Sequence, residues 1–488
     1  MENKERSLDQ IRAERIKKIE TLISEGINPY PSKSHRTGII PDILENWHTH
    51  TQSQKSLTVA GRIFSLRGQG KILFLDLKDE YGKIQIVLNK KTTQHFERVK
   101  NTIDIGDFIE ANGKAFVTQK GEKSIAAKKI NLLTKTLRPM PAERFAIKDD
   151  ETRLRQRYLD LLLNPELRET FRQKARFWEA IRSFLVARDF LPVEVPVLEN
   201  TTGGADARPF VTHHNALDID MFLRISLELP QKKLLVGGYE KVFEIGRVFR
   251  NEGIDADHLQ DYTAMEFYWA YADYTDLMKL IKPLYKELVK ATTGKLKTTY
   301  QGNTINWGGP WSVVDYCDEF LKKTKINIAT CTVNDLKAKA KELGLDFAKN
   351  DGKGRLIDII YKKTVRPKLI QPTFLIHHPI DISPLAKKVL GSPHKVERVQ
   401  VLAGGSELGN GWSELNDPID QRARFEEQAN LRKAGDDEAQ MMDEDFVVAL
   451  EHGMPPAAGF GLSERLFAVL LDKPIRETVF FPTLRPKK

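Results

Sequence analysis

Cysteine is nearly absent from this 488-residue chain, which holds only Cys317 and Cys331. Neither belongs to a Cys-x-x-Cys or Cys/His grouping. That excludes a disulfide framework and a structural zinc site, and it points to a reducing cytoplasm. Long apolar runs are missing as well. No stretch of 18 apolar residues occurs, and the first 25 residues, MENKERSLDQIRAERIKKIETLISE, are charged throughout, so neither a membrane span nor a secretory leader is expected. Also lacking is the Gly-x-x-x-x-Gly-Lys-Ser/Thr phosphate loop: Gly70-Lys71 is followed by Ile72 and has no earlier glycine at the required spacing. Gly459-Phe460-Gly461 lacks the third glycine of a dinucleotide fingerprint. A nucleoside triphosphate, if used, must be held without a P-loop.

Positive charge is present but confined. Residues 1–140 hold 25 Lys and Arg against 16 Asp and Glu, whereas the remainder balances at 51 against 51. Segregated basicity attracts phosphate backbones and is rewarded by counterion release, so nucleic acid is the leading partner of the front segment; a merely soluble surface is the bland alternative. Leu8, Ile11, Ile16, Ile19 and Leu22 recur among charges until Gly26, just before Asn28-Pro29-Tyr30-Pro31, which predicts an amphipathic helix followed by a turn within an amino-terminal segment, 1–56. Five β-like runs follow from Leu57 (LTVAGRIFSL, KILFLDLKD, KIQIVLNK, DFIEANGKAFV and SIAAKKINLL), separated by glycine turns. They predict a small closed oligonucleotide-binding barrel over 57–140. Arg67, Phe74 and Gln85 are candidates on its strand face, with Phe74 equally readable as core and Arg67 as a solvated loop charge. LRPMPAERFAIKD, 137–149, has two prolines and no period, and it marks the boundary to a second domain, 150–488.

In that domain EKVFEIGRVFRNE (240–252) alternates so that Phe243, Ile245 and Phe249 share one face and Glu244, Arg250 and Glu252 the other. DYTAMEFYWAY (261–271) puts Tyr262, Glu266 and Tyr268 on one face. An antiparallel hairpin of the two sets a planar phosphate-binding donor near a stacking aromatic and a carboxylate suited to an amine, or else presents a solvated, salt-bridged face. GGSELGNGWSELND (404–417) aligns Asn410, Trp412 and Glu414, with Glu407 just before them. These carboxylates are candidate ligands for an amine or magnesium. GFGLSERLFAVLLDK (459–473) reads as a glycine-rich approach to an apolar helix with Glu464 and Arg465 at its start, a phosphate-favouring arrangement. Residues 317–365, rich in Lys and Asp, read as inserted helices.

In this order the segments resemble the class II aminoacyl-tRNA synthetases of the aspartate, asparagine and lysine subgroup, above all its lysyl branch, over essentially the whole chain. FLPVEVPVLENTTGGADARPF (190–210), with Pro196, is similar to the family's first motif, which forms its dimer interface. FRNEG (249–253) and GFGLSER (459–465) are similar to the second and third motifs. The resemblance implies an α+β chain: an amino-terminal five-stranded oligonucleotide-binding β-barrel that reads the anticodon, then an antiparallel sheet flanked by helices. It also implies ATP-dependent ligation of lysine to the 3′ end of its tRNA through lysyl-adenylate, with Mg2+, in a cytoplasmic homodimer with no membrane association.

Carried over residue by residue, the resemblance makes Arg250, Glu252 and Arg465 catalytic. Arg250 would bind the α-phosphate of ATP and the reacting carboxylate. Glu252 and His258 would contact the nucleotide, Tyr262 would stack on adenine, and Arg465 would hold the far phosphates. Glu407 would bind ATP and its metal, with Gln400 in the place of the family's second magnesium glutamate. Gly204, Glu228, Glu266, Tyr268, Asn410, Trp412 and Glu414 would bind lysine, since buried carboxylates reject a substrate that leaves them unpaired. Arg67, Phe74, Gln85 and Glu122 would read the anticodon. Departures from the family pattern are Trp412 for phenylalanine, Asp257 for a cation, Gln400, and a third motif one residue shorter. The last three motivate a rival reading as a decayed, non-catalytic tRNA-binding protein. An aspartate or asparagine relative would need cations where the three glutamates stand, and a protein-lysylating ligase would lack the barrel.

Overall fold

The computed structural model describes residues 7–68, 70–141, 149–253, 259–349, 351–433, 435 and 439–486. The chain divides into two compact units, Met1–Ala146 and Ile147–Lys488.

The first unit opens with α1 (Leu8–Ser24), started by a reciprocal cap in which the Ser7 hydroxyl accepts from the Gln10 amide and the Gln10 side chain accepts from that of Ser7. Strands β1 (Leu57–Arg67), β2 (Ile72–Lys78), β3 (Lys83–Asn89), β4 (Phe108–Val117) and β5 (Lys123–Thr134) close a barrel in the order β1-β2-β3-β5-β4. Period-two burial explains the closure: Leu73, Leu75, Leu77, Ile84, Ile86 and Leu88 fill the interior while Phe74 and Asp76 are turned outward. The barrel expectation therefore holds. The helix forms where it is expected, with Ile11, Arg15, Ile19 and Leu22 along its packed face and Leu8 and Ile16 exposed. The Arg15 guanidinium donates to the carbonyls of Ile105, Thr136 and Arg138. Hydrogen bonds from a buried cation, with its apolar stem alongside, thus contribute to docking the helix.

The second unit contains α2 (Pro165–Val186), β6 (Leu191–Pro192), α3 (Glu228–Val236), β7 (Lys241–Phe249), β8 (Asp261–Ala270) and α4 (Tyr274–Thr293). Further along come β9 (Ser312–Asp315), α5 (Tyr316–Thr324), α6 (Val333–Glu342), α7 (Lys353–Thr364), β10 (Thr373–Ile376), β11 (Arg398–Ala403), β12 (Ser406–Ser413), β13 (Ala457–Ser463) and α8 (Glu464–Leu470). One eight-stranded sheet runs β9-β10-β11-β12-β13-β8-β7-β6, antiparallel except for a parallel pair at each edge. Helices cover one face. Phe177, Ile181 and Phe184 of α2 and Leu277, Ile281, Leu284 and Leu288 of α4 recur at helical spacing and pack against Phe243, Met265, Phe267, Val399, Val401 and Phe460. Each large side chain so buried contributes about 1.5–3 kcal/mol. Alternation then sends Tyr262, Glu266, Tyr268, Gln400, Asn410 and Trp412 to the opposite face. Helices α5 to α7 gather around Tyr316, Phe320, Leu336, Leu356 and Ile360, a cluster that also takes Leu375 and Leu402 from the sheet. No helix among the described residues is long and apolar enough to cross a membrane.

Candidate active site

Strands β7 and β8 pair antiparallel, as expected, with Glu244 opposite Glu266 and Val248 opposite Tyr262. The strand ends at Phe249, so Arg250 and Glu252 lie just beyond it, where the Arg250 amide still donates to the Gln260 carbonyl. Arg250 Nε donates to the Ile225 carbonyl at 3.2 Å, and its guanidinium carbon lies 5.6 Å from the Tyr262 ring centre. Burial opposes its charge, but Tyr262, Glu252, Glu266 and Asp206 outweigh that and hold its pKa above the ordinary value. Arg465, in the first turn of α8, is near enough for its charge to act on the Tyr262 phenol. Arg250, Glu252, Tyr262 and Arg465 thus form one group. His258 and Asp257 lie outside the described residues.

One expectation is corrected. Glu244 does not face an open side: it forms a buried ion pair with Arg224 at 2.8 Å and accepts from the Val195 amide. The glycine-rich approach to Arg465 is strand β13 itself, and Gly459 is required by packing. A Cβ there would lie 2.3–2.4 Å from Tyr268 and Glu414 side-chain atoms.

Beside that group is a buried acidic pocket. Glu228 starts α3 and is 2% exposed, and Glu414, just after β12, is 1% exposed. Glu266 accepts from Ser226 Oγ at 3.0 Å, the Leu227 amide at 3.1 Å and Tyr268 Oη at 3.0 Å. Gly204 has φ +82°, and a Cβ there would lie 2.8 Å from Ser226 Oγ and Glu228 Cβ, so both conformation and space demand glycine. Asn410 accepts from Arg398 Nε at 3.0 Å. The Trp412 indole N–H donates to Glu414 Oε2 at 2.9 Å. The sequence reading missed Lys232, fully buried, whose ammonium bridges Glu228 Oε1, at 2.5 Å, and Glu414 Oε2. Its i,i+4 spacing from Glu228 was the available signal, but that spacing looks the same on a solvated helix face. Burial pushes the Glu228 carboxyl up to about 8 and that of Glu414 up to about 7, against the pull of Lys232. Lys232 is itself raised, because the two carboxylates outweigh its own desolvation. The site is therefore rich in carboxyls and short of cations, which suits an ammonium ligand.

Gln400 and Glu407 lie on neighbouring strands β11 and β12. Gln400 pairs with Asn410, and Glu407 pairs with Leu402, on the same sheet face. Buried Gln400 lies beside the buried His378 ring, close enough for a side-chain hydrogen bond between them. Among the described residues no group of three His, Cys, Asp or Glu is placed to hold a metal.

In the first unit Arg67 pairs with Phe74 across β1 and β2, and Gln85 pairs with Ser124 across β3 and β5. Phe74 is half-buried and outward, which decides against the core reading. Arg67 is exposed and ion-paired with Asp76 at 3.2 Å. Gln85 is buried and accepts from Ser124 Oγ, and exposed Glu122 precedes that serine by two residues.

The comparisons agree with this arrangement. A family model described as "tRNA synthetases class II (D, K and N)" matches residues 149–485, and one described as "OB-fold nucleic acid binding domain" matches residues 57–133. The chain is 43% identical to the lysine–tRNA ligase of Roseiflexus castenholzii over 99% of its own length and all of that protein's. It is 44% identical to the lysine–tRNA ligase of Fervidobacterium nodosum over 98% of this chain and 95% of that one. It is 43% identical to that of Moorella thermoacetica over 98% and 99%. With its barrel, its antiparallel-rich sheet and its three motifs in place, the chain belongs to the class II tRNA synthetases of the aspartate, lysine and asparagine group.

Proposed function

We propose that this chain ligates lysine to the 3′ end of its tRNA for protein synthesis, through a lysyl-adenylate. The observation that carries the reading is the buried pocket of Glu228, Glu266 and Glu414 beside the Arg250, Tyr262 and Arg465 group on one sheet face. Lysine's ammonium enters the carboxyl-rich pocket, and its carboxylate lies toward Arg250. That carboxylate attacks the α-phosphate of ATP, pyrophosphate leaves, and a terminal ribose hydroxyl of the tRNA then takes the lysyl group and releases AMP. Arg250 neutralises the α-phosphate and the attacking carboxylate, Arg465 and Glu252 fix the rest of the nucleotide, and Tyr262 stacks on the adenine. The protein supplies no nucleophile; it positions the reactants and stabilises charge.

The donors on β11 and β12 fit a magnesium ion that arrives with the triphosphate. The Glu407 carboxylate and the Gln400 amide oxygen would hold it. When bound, the ion supplies neutralisation of phosphate charge. On the barrel, Arg67, Phe74, Gln85 and Glu122 read the anticodon by stacking and base-edge hydrogen bonds.

The homodimer is supported by exposed Val186, Leu191, Val197 and Leu198 around the first motif, with β6 at a sheet edge. Sedimentation at micromolar concentration tests it, and a monomer there overturns it. The cytoplasm is the compartment where tRNA is charged and where Cys317 and Cys331, both unpaired, stay reduced. The functional reading itself is tested by exchange of labelled pyrophosphate into ATP with magnesium and each proteinogenic amino acid separately. Exchange with lysine alone is expected, and exchange with a different amino acid overturns the pocket assignment.

A further inference from the structure

Glu414 has its two oxygens in different situations. Oε2 receives both the Lys232 ammonium and the Trp412 indole N–H. Oε1 is buried, has no hydrogen-bond partner, and lies 2.4 Å from where a Cβ of Gly459 would stand. The Gly459 backbone therefore packs directly against this oxygen and Tyr268, where no side chain would fit, and supplies it no hydrogen bond. A buried carboxylate oxygen left without a donor is costly, which makes this a position prepared for a ligand's N–H.

We infer that Lys232 and Trp412 are positioning residues for lysine selection: together they occupy Glu414 Oε2 and reserve Oε1 for the substrate ammonium. The inference rests on the reading of this pocket as the lysine site.

Three observations support it independently of one another. Lys232 is fully buried on α3, so it is no surface ion pair, and its ammonium also lies 5.7 Å from the Phe446 ring centre, which closes its far side. It bridges two carboxylates from different elements, Glu228 at the head of α3 and Glu414 after β12, which could not otherwise sit side by side in a dry pocket as anions. Trp412 stands where phenylalanine would fill the same slab of space without an N–H, so the extra donor is a property of this chain. Arg398 lies 5.5 Å from the Trp412 ring centre and bonds Asn410, which restrains the indole's swing. With Glu266 saturated by Ser226, Leu227 and Tyr268, the open acceptor on Glu414 becomes the oxygen that distinguishes an ammonium from a neutral amide or a methyl group.

The test is steady-state lysine-dependent pyrophosphate exchange on the full-length protein and its Trp412→Phe, Lys232→Met and Lys232→Arg variants, with thermal melts alongside. Trp412→Phe, which keeps the ring and removes only the donor, is expected to raise the lysine KM about tenfold with kcat within roughly twofold, the loss of one hydrogen bond to a charged group. Lys232→Met is expected to raise KM about a hundredfold, and Lys232→Arg, which restores the cation, to recover part of it. An unchanged lysine KM in Trp412→Phe overturns the inference, as does a folded Lys232→Met that loses kcat without a rise in KM. Should Lys232→Met fail to melt cooperatively, Trp412→Phe decides alone. Failure of the underlying reading is distinguishable, because then the unaltered protein exchanges with an amino acid other than lysine or with none.

Discussion

The outer face of the barrel and the acidic pocket of the sheet, the two regions proposed for recognition, are built in opposite ways. On the barrel, Phe74 is half-buried, Arg67 leans on Asp76 in an exposed ion pair, and only Gln85 is tied into the strands. In the pocket, almost every polar atom is buried and already bonded, so that Glu266 alone receives three internal donors. A surface of loosely held groups can adapt to splayed bases, and it gains affinity from stacking and charge. A pocket of interlocked groups cannot adapt, and it gains selectivity from what it leaves unpaired.

The largest expected effect falls on the preorganised side. Arg250→Ala is expected to lower lysine-dependent exchange by about a thousandfold or more, the loss of the cation proposed to neutralise the α-phosphate and the attacking carboxylate. Exchange above about a tenth of the original rate would remove Arg250 from the centre of the reaction. On the adaptable side, Phe74→Ala is expected to raise the tRNA KM in charging assays roughly 10- to 100-fold, in line with about 1–3 kcal/mol per stacked base. A comparable rise in the lysine KM of the same variant would break the division between the two regions.

pH sharpens the contrast. Burial raises Glu228 to about 8 and Glu414 to about 7, whereas a cationic substrate prefers both ionised. Protonation therefore competes with lysine, and kcat/KM for lysine is expected to fall roughly tenfold from about pH 8 to about pH 6. Glu266, Lys232, Tyr268 and Trp412 face the same pair, and burial raises Glu266 as well, so its protonation acts in the same direction. A flat profile would mean that the pocket carboxyls are ordinary. The smallest effect is expected at Arg67. Its exposed ion pair contributes less than about 1 kcal/mol to stability, so Arg67→Ala should leave the melting temperature nearly unmoved and reduce the salt slope of tRNA binding by about one.

How much of this was legible in the sequence follows from how far apart the partners lie. Strand pairing of β7 with β8, the barrel and the three motif segments are carried by local periodicity and by residue types with narrow chemistry, such as Arg250 and Glu266. The face of Phe74 was undecided until Leu73 and Leu75 were seen to fill the barrel. Lys232 escaped notice because one of its two partners, Glu414, lies just after a strand about 180 residues later, and no spacing rule reaches that far. Glu244 was misassigned for the same reason, its partner Arg224 lying outside the hairpin. Arg15 was missed because an arginine among lysines and glutamates looks solvated, and only the carbonyls of Ile105, Thr136 and Arg138 reveal otherwise.

Strand β13 crosses beneath the pocket with Gly459 under Tyr268 and Glu414 and Gly461 under Glu266, a Cβ at the latter falling 3.1 Å from Glu266 Cγ. The floor is thus bare backbone, already at the minimum size an amino acid can have. A side chain added at either position can only crowd Tyr268, Glu414 or Glu266. Drift in substrate choice through this strand is one-way, toward shorter amino acids, and any variant that accepts a longer side chain has to be sought in the walls.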